Sequence, residues 1–445
     1  MPAINISAEA AHDANGVSFY SNRHVQFVSG HGGSGFIEVL LVSLVPPFAV
    51  LLRNCAVPWL FAGRNFSGDT LSLWLKFLLD FHFLCVLPLL SVTYFSEFLP
   101  YVAPVLFVVA CAFVLLSFVE YRGLLRQVIN WDTVLNAHVP IEPRQLYLTY
   151  YRSSLFLMTS LCILAVDFRI FPRKFAKTEN FGVSLMDCGV GAFVFVNGLN
   201  AKNLSNLKLK SHKRQQSSQV NKKAADREKL VAKRKFLLST LKSNFIILLL
   251  GIVRLVTVKL SNYHEHITEY GVHWNFFFTL FFVQLIGAAQ QIGDYLVKPR
   301  IYLKSRIGLC LELASVGVLF MLATFLYCHF CSAVPSRRLC NLAFVLWTLA
   351  LNVTMLAVFL LVEVLCVGAF ALQLPAFHTG EQPFANLRPC LLEAVNRNGV
   401  YVFLAANLLT GVVNFSIKTI DTTELASFCL LYGYMLLVCL AFCRF

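Results

Sequence analysis

The densest polar chemistry in this chain is Ala165-Val166-Asp167-Phe168-Arg169-Ile170-Phe171-Pro172-Arg173-Lys174-Phe175-Ala176-Lys177-Thr178-Glu179, set between two long apolar runs. An acid and several cations at the edge of hydrocarbon are costly to keep there, which makes them functional candidates by default. A basic anchor with snorkelling side chains is the plain alternative, but an anchor has no need of Phe alternating with charge. Pro172 is expected to stop the helix that Asp167 ends. Immediately beyond, Ser184-Leu185-Met186-Asp187-Cys188-Gly189-Val190-Gly191 opens the next apolar run. Asp187 needs a partner there, either a neighbouring helix or a substrate, while the glycines permit close helix approach.

A second concentration comprises Arg254, Lys259 and then Asn262, His264, Glu265, His266, Tyr270, His273, Trp274 and Asn275. Three histidines so close together invite a metal. Membrane iron or zinc boxes, however, need further ligands from several helices, and no metal is expected. Hydrogen bonding to a polar headgroup fits better, with Tyr270 and Trp274 as interfacial aromatics. A third cluster, Asn396, Arg397 and Asn398, leads into a run holding Asn407, Thr410 and Asn414. Asn407 and Asn414 read as helix-to-helix hydrogen bonds.

The elements that must position these groups are membrane spans. Of the 445 residues, 58% are hydrophobic and only 13% charged, with a mean hydropathy of +0.68. Soluble domains carry roughly twice that share of charge, about 25%. Runs long enough to cross a bilayer fall at 36–54, 71–94, 99–119, 151–167, 181–199, 240–258, 273–293, 307–330, 341–370, 398–416 and 424–443. The run at 341–370 is long enough to conceal a second crossing or a tilted helix, and 127–140 and 376–395 read as interfacial or re-entrant. The runs are continuous rather than alternating, which excludes a β-barrel. The expected fold is all-α: a polytopic transmembrane bundle of eleven to thirteen helices with no soluble domain. Residues 1–35 are polar and carry no cleavage pattern, so the first helix is expected to persist. Residues 36–443 read as one multi-spanning domain.

The formal net charge of +14 is concentrated in one loop. Residues 201–242 hold 13 Lys and Arg against Asp226 and Glu228, a net +11. Such a loop belongs in the cytosol. Five runs precede it, which puts the N-terminus in the lumen and the C-terminus in the cytosol. On this map 167–180, 259–272, 330–340 and 417–423 are lumenal. With the single aromatic Phe236, the basic loop lacks the stacking platform of a nucleic-acid module. Most of the 14 cysteines lie within runs, and Cys328, Cys331 and Cys340 read as packing or a structural disulfide. Of the sequons at Asn5, Asn65, Asn203, Asn352 and Asn414, only Asn5 is both lumenal and clear of the membrane. Walker, dinucleotide, nucleophile-elbow and HExxH motifs are missing from the sequence.

The stretch AVDFRIFPRKFAKTENFGVSLMDCGVGAFVFVNGL resembles the hallmark of the PIG-W family of inositol acyltransferases in glycosylphosphatidylinositol (GPI) anchor assembly. The blocks GIVRLVTVKLSNYHEHITEYGVHWNFFFTL, AVNRNGVYVFLAANLLTGVVNFSIKTIDT and FVSGHGGSGFIEV are similar to parts of that family, in its order. The resemblance implies about thirteen helices in the endoplasmic-reticulum membrane. It also implies acyl transfer from acyl-CoA, with palmitoyl-CoA the expected co-substrate, to an inositol hydroxyl of glucosaminyl-phosphatidylinositol. The family's essential acid and lysine fall on Asp167 and Lys177; Arg169 stands where relatives often differ.

An inositol hydroxyl is a poor nucleophile near neutral pH, so its attack on a thioester needs proton removal as the bond forms. Asp167 is the candidate base, with Lys177 orienting it and stabilising the oxyanion; a desolvated Lys177 as base is the reverse assignment. Arg173 and Lys174 are candidates for phosphate. Asp187, Arg254, His264, Glu265, His266, Tyr270, Trp274, Asn275, Asn396, Arg397 and Asn398 are further substrate-binding candidates. A secondary transporter using Asp187, Glu312 and Glu363 is the rival reading, but transporters gather such groups at the midplane of repeated halves, and no internal repeat is visible.

Overall fold

The computed structural model describes residues 23, 26–27, 29–60, 70–122, 145–199, 245, 248–254, 256, 303–373 and 389–443. The described residues are almost entirely helical. In chain order the helices are α1 (Phe36–Leu60), α2 (Thr70–Phe81), a π-helical turn (His82–Val86) continuing into α3 (Leu87–Val92), α4 (Leu99–Arg122), α5 (Leu146–Ala165), α6 (Leu185–Leu199), α7 (Leu303–Phe330), α8 (Leu342–Gln373), α9 (Cys390–Ser416) and α10 (Glu424–Phe442). Seven stretches among the described residues are long and apolar enough to cross a membrane, and two shorter apolar helices, Leu99–Phe113 and Leu185–Val196, accompany them. These nine correspond to nine of the eleven runs. The runs at 240–258 and 273–293 lie largely outside the described residues, as do 127–140 and most of 376–395. The run at 341–370 is one continuous helix, α8.

The chain forms two compact units, one of Met1–Pro140, Leu146–Cys188 and Tyr302–Phe445, the other of Ile141–Gln145 and Gly189–Ile301. In the first, α7 packs along α8, α8 against α1 and α5, and α9 against α5, α10 and α2.

The early starts of α5 and α9, five and eight residues ahead of their apolar runs, share one reason. The first N–H groups of a helix have no partner within it. At the start of α5, Glu363 Oε2 accepts from Tyr147 N at 2.8 Å, and Arg306 neutralises that carboxylate. At the start of α9, Asp80 Oδ2 accepts from Leu391 N at 3.3 Å, and Arg53 Nε meets Oδ1 at 2.6 Å. Buried charges persist when paired and hydrogen-bonded. Glu363 is therefore a helix cap. Helix α9 then runs through residue 398, where the fold bends: Asn398 leaves helical geometry at φ −113°, ψ 19°.

At the opposite end of this unit the segments 29–35, 166–184, 331–341 and 417–421 converge, tied by Ser34 N to Val183 O (2.7 Å), Gly182 N to Pro335 O (2.9 Å) and Arg23 to Asp421 (3.0 Å). The charge map assigns these segments to one side of the membrane, and the structure gathers them at one end. A buried cluster of Val39, Val183, Cys188, Phe344, Trp347 and Leu351 underlies them.

Candidate functional site

Asp167 stands two residues beyond the end of α5. The helix stops at Ala165 rather than at Pro172, which instead precedes a 3-10 turn, Arg173–Phe175. The cause is Arg173. Its guanidinium donates to the carbonyl oxygens of Val166 (2.8 Å), Phe168 (2.9 Å) and Phe171 (2.7 Å), which draws the chain into a tight loop. A basic side chain bonding the last carbonyls is a known way to finish a helix. Arg173 also lies 4.0 Å over the Phe27 ring. Burial pulls its pKa down to about 10, against the opposing effect of the Asp167 charge, so it stays a cation at neutral pH. Phe168, Phe171 and Phe175 are fully buried. The alternation of Phe and charge thus has a structural meaning: the rings anchor the loop and the cation shapes it.

Asp167 is itself buried, at 7% exposure. Asn414, in the last turn of α9, donates from Nδ2 to Asp167 Oδ2 at 2.8 Å. Lys177, ten positions along the same loop, is exposed. Lys174 lies between two carboxylates, 3.4 Å from Glu38 and 3.2 Å from Glu97. The loop thus holds a buried, oriented carboxylate together with an exposed ammonium, the two functions that base-assisted acyl transfer requires.

Asp187 is completely buried and committed to the scaffold. Its carboxylate accepts from Thr178 Oγ1 (2.8 Å), Ser184 Oγ (2.9 Å) and Arg337 Nε (2.7 Å). Ser184 and Asp187 also form a reciprocal capping arrangement at the start of α6, with Asp187 N donating to Ser184 Oγ at 3.2 Å. Of the two roles open to Asp187, helix pairing or substrate contact, its bonds are structural.

A glycine-lined contact fixes the loop from the other side. Residues 30–34 run beside 179–183, with Gly30 N on Glu179 Oε2 (2.8 Å) and Glu179 N on His31 O (3.2 Å). Gly33 and Gly182 have φ of +84° and +125°, and a side chain at either would collide with the backbone oxygen of Val183 or Gly32. Only glycine tolerates both conditions.

The other candidates fall elsewhere. Asn396, Arg397 and Asn398 lie on α9 some 16 to 18 residues before Asn414, roughly 25 Å along the helix. Asn396 Nδ2 reaches Thr149 Oγ1 at 3.4 Å, Arg397 pairs with Glu393 at 3.4 Å, and Asn398 bonds Ala394 O at 3.1 Å. The structure does not bring them to Asp167. Arg254 is exposed on a helical piece of the second unit. His264, Glu265, His266, Tyr270, Trp274 and Asn275 lie outside the described residues. Among the described residues no group of metal-binding side chains occurs, and Cys328, Cys331 and Cys340 are free thiols. The sequon Asn352 is buried and bonded to Tyr151. Two residues that sequence reasoning passed over or read otherwise prove central. Arg337 pairs with Asp187, and Asn414 holds Asp167.

The chain matches a family model described as GWT1 over residues 20–302 and 287–445. It is 33% identical to GPI-anchored wall transfer protein 1 of Aspergillus fumigatus, over 93% of this chain and 95% of that protein. The protein of the same name from Emericella nidulans is 32% identical, over 94% and 96%. The phosphatidylinositol-glycan biosynthesis class W protein of Dictyostelium discoideum is 28% identical, over 95% and 96%. With its near full-length match, its bundle of spanning helices and its Asp167 loop, this chain belongs to the GWT1 family.

Proposed function

We propose that this protein is an acyltransferase of GPI-anchor biosynthesis in the endoplasmic-reticulum membrane. In this reading it moves a long-chain fatty acyl group, such as palmitoyl, from acyl-CoA to an inositol hydroxyl of glucosaminyl-phosphatidylinositol. The names of its relatives support the pathway. The observation that carries the chemistry is the buried Asp167 carboxylate, oriented by Asn414 in a braced loop.

Asp167 takes the proton of the inositol hydroxyl as its oxygen attacks the thioester carbonyl. The Lys177 ammonium stabilises the oxyanion of the tetrahedral intermediate. Collapse breaks the carbon–sulfur bond, and the CoA thiolate leaves and is protonated as Asp167 returns to its carboxylate form. The reversed assignment requires a desolvated Lys177, and the exposure of that side chain favours Asp167 as the base. His264, Glu265, His266 and Asn275 are assigned to the glucosamine-inositol head. The transporter reading loses two of its groups, since Asp187 is occupied in bracing the loop and Glu363 in capping α5.

The test is purified protein in proteoliposomes with radiolabelled palmitoyl-CoA and glucosaminyl-phosphatidylinositol. Label appearing in the glycolipid supports the reading. Uptake of either lipid without a new ester sinks it.

A further inference from the structure

Removing a proton is only half of what acylation of a polyol needs; the correct hydroxyl must also be held. A carboxylate can only accept hydrogen bonds, so the contact between Asn414 and Asp167 fixes how the amide sits. Nδ2 donates to Asp167 Oδ2 at 2.8 Å, which leaves the carbonyl oxygen Oδ1 as the amide's other polar atom. That Oδ1 is buried and has no hydrogen-bond partner among the described residues. A buried acceptor left unsatisfied calls for an explanation. This one stands a single amide group from the proposed base, so a donor bound to it is within reach of Asp167.

We infer that Asn414 contacts the acceptor lipid as well as positioning the base: Oδ1 accepts a hydrogen bond from the inositol hydroxyl neighbouring the one that is acylated. Neighbouring hydroxyls on a six-membered ring sit close enough for one to face Asp167 while the other meets Asn414. One side chain then couples the orientation of the base to that of the nucleophile, which is the geometric gain that proximity provides. This inference rests on the acyl-transfer reading above.

The test uses full-length protein, palmitoyl-CoA, and two acceptors: glucosaminyl-phosphatidylinositol and an analogue lacking the neighbouring hydroxyl. Wild type is expected to lose about tenfold or more in kcat/KM on the deoxy acceptor, because a site built to bond a hydroxyl penalises its absence. Asn414→Leu is expected to lose about 30-fold or more on the natural acceptor, to discriminate between the acceptors less than about twofold, and to keep its KM for palmitoyl-CoA. Asn414→Thr, which retains an acceptor oxygen, is expected to regain part of the discrimination and serves if the leucine variant does not accumulate. Equal penalties for the deoxy acceptor in wild type and variants overturn the assignment and leave Asn414 a scaffold residue beside a buried water. Absence of transfer by wild type to either lipid takes down the acyl-transfer reading and this inference together.

Discussion

Arg337 Nε meets Asp187 Oδ1 at 2.7 Å across 150 positions of sequence. The same guanidinium reaches the carbonyl of Thr178 at 3.3 Å, and Asp187 receives the Thr178 hydroxyl in turn. The segment from Lys177 to Ser184 is thereby fastened to the connection between α7 and α8. Ser336 Oγ on Asn180 O (2.5 Å) and Arg338 on Asn180 Oδ1 (3.1 Å) complete the attachment.

Asp187→Asn leaves the Arg337 side chain, 7% exposed, without its counter-charge. Breaking a buried pair from one side costs about 3–5 kcal/mol. The thermal midpoint in detergent, followed by fluorescence-detected size exclusion, is expected to fall, and Asp187→Asn with Arg337→Gln to recover part of the loss. An unchanged midpoint in the single variant would show that the pair does not hold the loop.

Asp167→Asn and Lys177→Ala are each expected to reduce acyl transfer in microsomes by about a hundredfold or more, the scale of a lost proton-transfer group. Protein abundance should hold, because Asn preserves the shape of Asp167 and Lys177 is exposed. Near-normal turnover in both removes the pair from the chemistry.

Gly33→Ala and Gly182→Ala both place a methyl group against backbone at a left-handed φ. The loop must shift, and displacement by about 1 Å is enough to cost a hundredfold in rate. Gly35 meets nothing within 4 Å and has no such φ, so Gly35→Ala should remain within about twofold of wild type. Equal activities across the three variants would refute the close contact.

Arg397 is exposed on α9 and paired with Glu393, one helical turn away. Exposed pairs contribute little, and Arg397→Ala is expected to retain acyl transfer within about twofold. A loss as deep as that of Asp167→Asn would tie the start of α9 to the reaction.

Single cysteines at Lys177, Arg338 and a position in the 201–242 loop test sidedness. In sealed microsomes an impermeant maleimide added outside should label only the basic loop, with the first two reacting after permeabilisation. Labelling of Lys177→Cys from the cytosol reverses the map.

What could be read in advance follows from which forces act locally. Continuous apolar runs betray spans because hydrocarbon satisfies no backbone group, and the nine apolar stretches among the described residues sit on such runs. Their starting points could not be read, since the caps at Tyr147 and Leu391 come from Glu363 and Asp80 on distant helices. Asp167 was visible as a charge at the edge of a span; its tie to Asn414, 247 positions away, was not. Other signals were present but unread. The Ser184-Leu185-Met186-Asp187 spacing has the form of a capping box. Arg337, like Arg173 and Lys174, is a cation in a short connection between apolar runs.

The loop bearing Asp167 is gripped by glycines made before it and by Arg337 and Asn414 made long after it. A ribosome that has threaded α5 and α6 into the membrane has therefore built spans but no site. The carboxylate meets Asn414 only when the last turn of α9 arrives, so assembly of the proposed site is among the final events of biogenesis. A chain truncated before that point would insert its early helices yet carry an unformed centre.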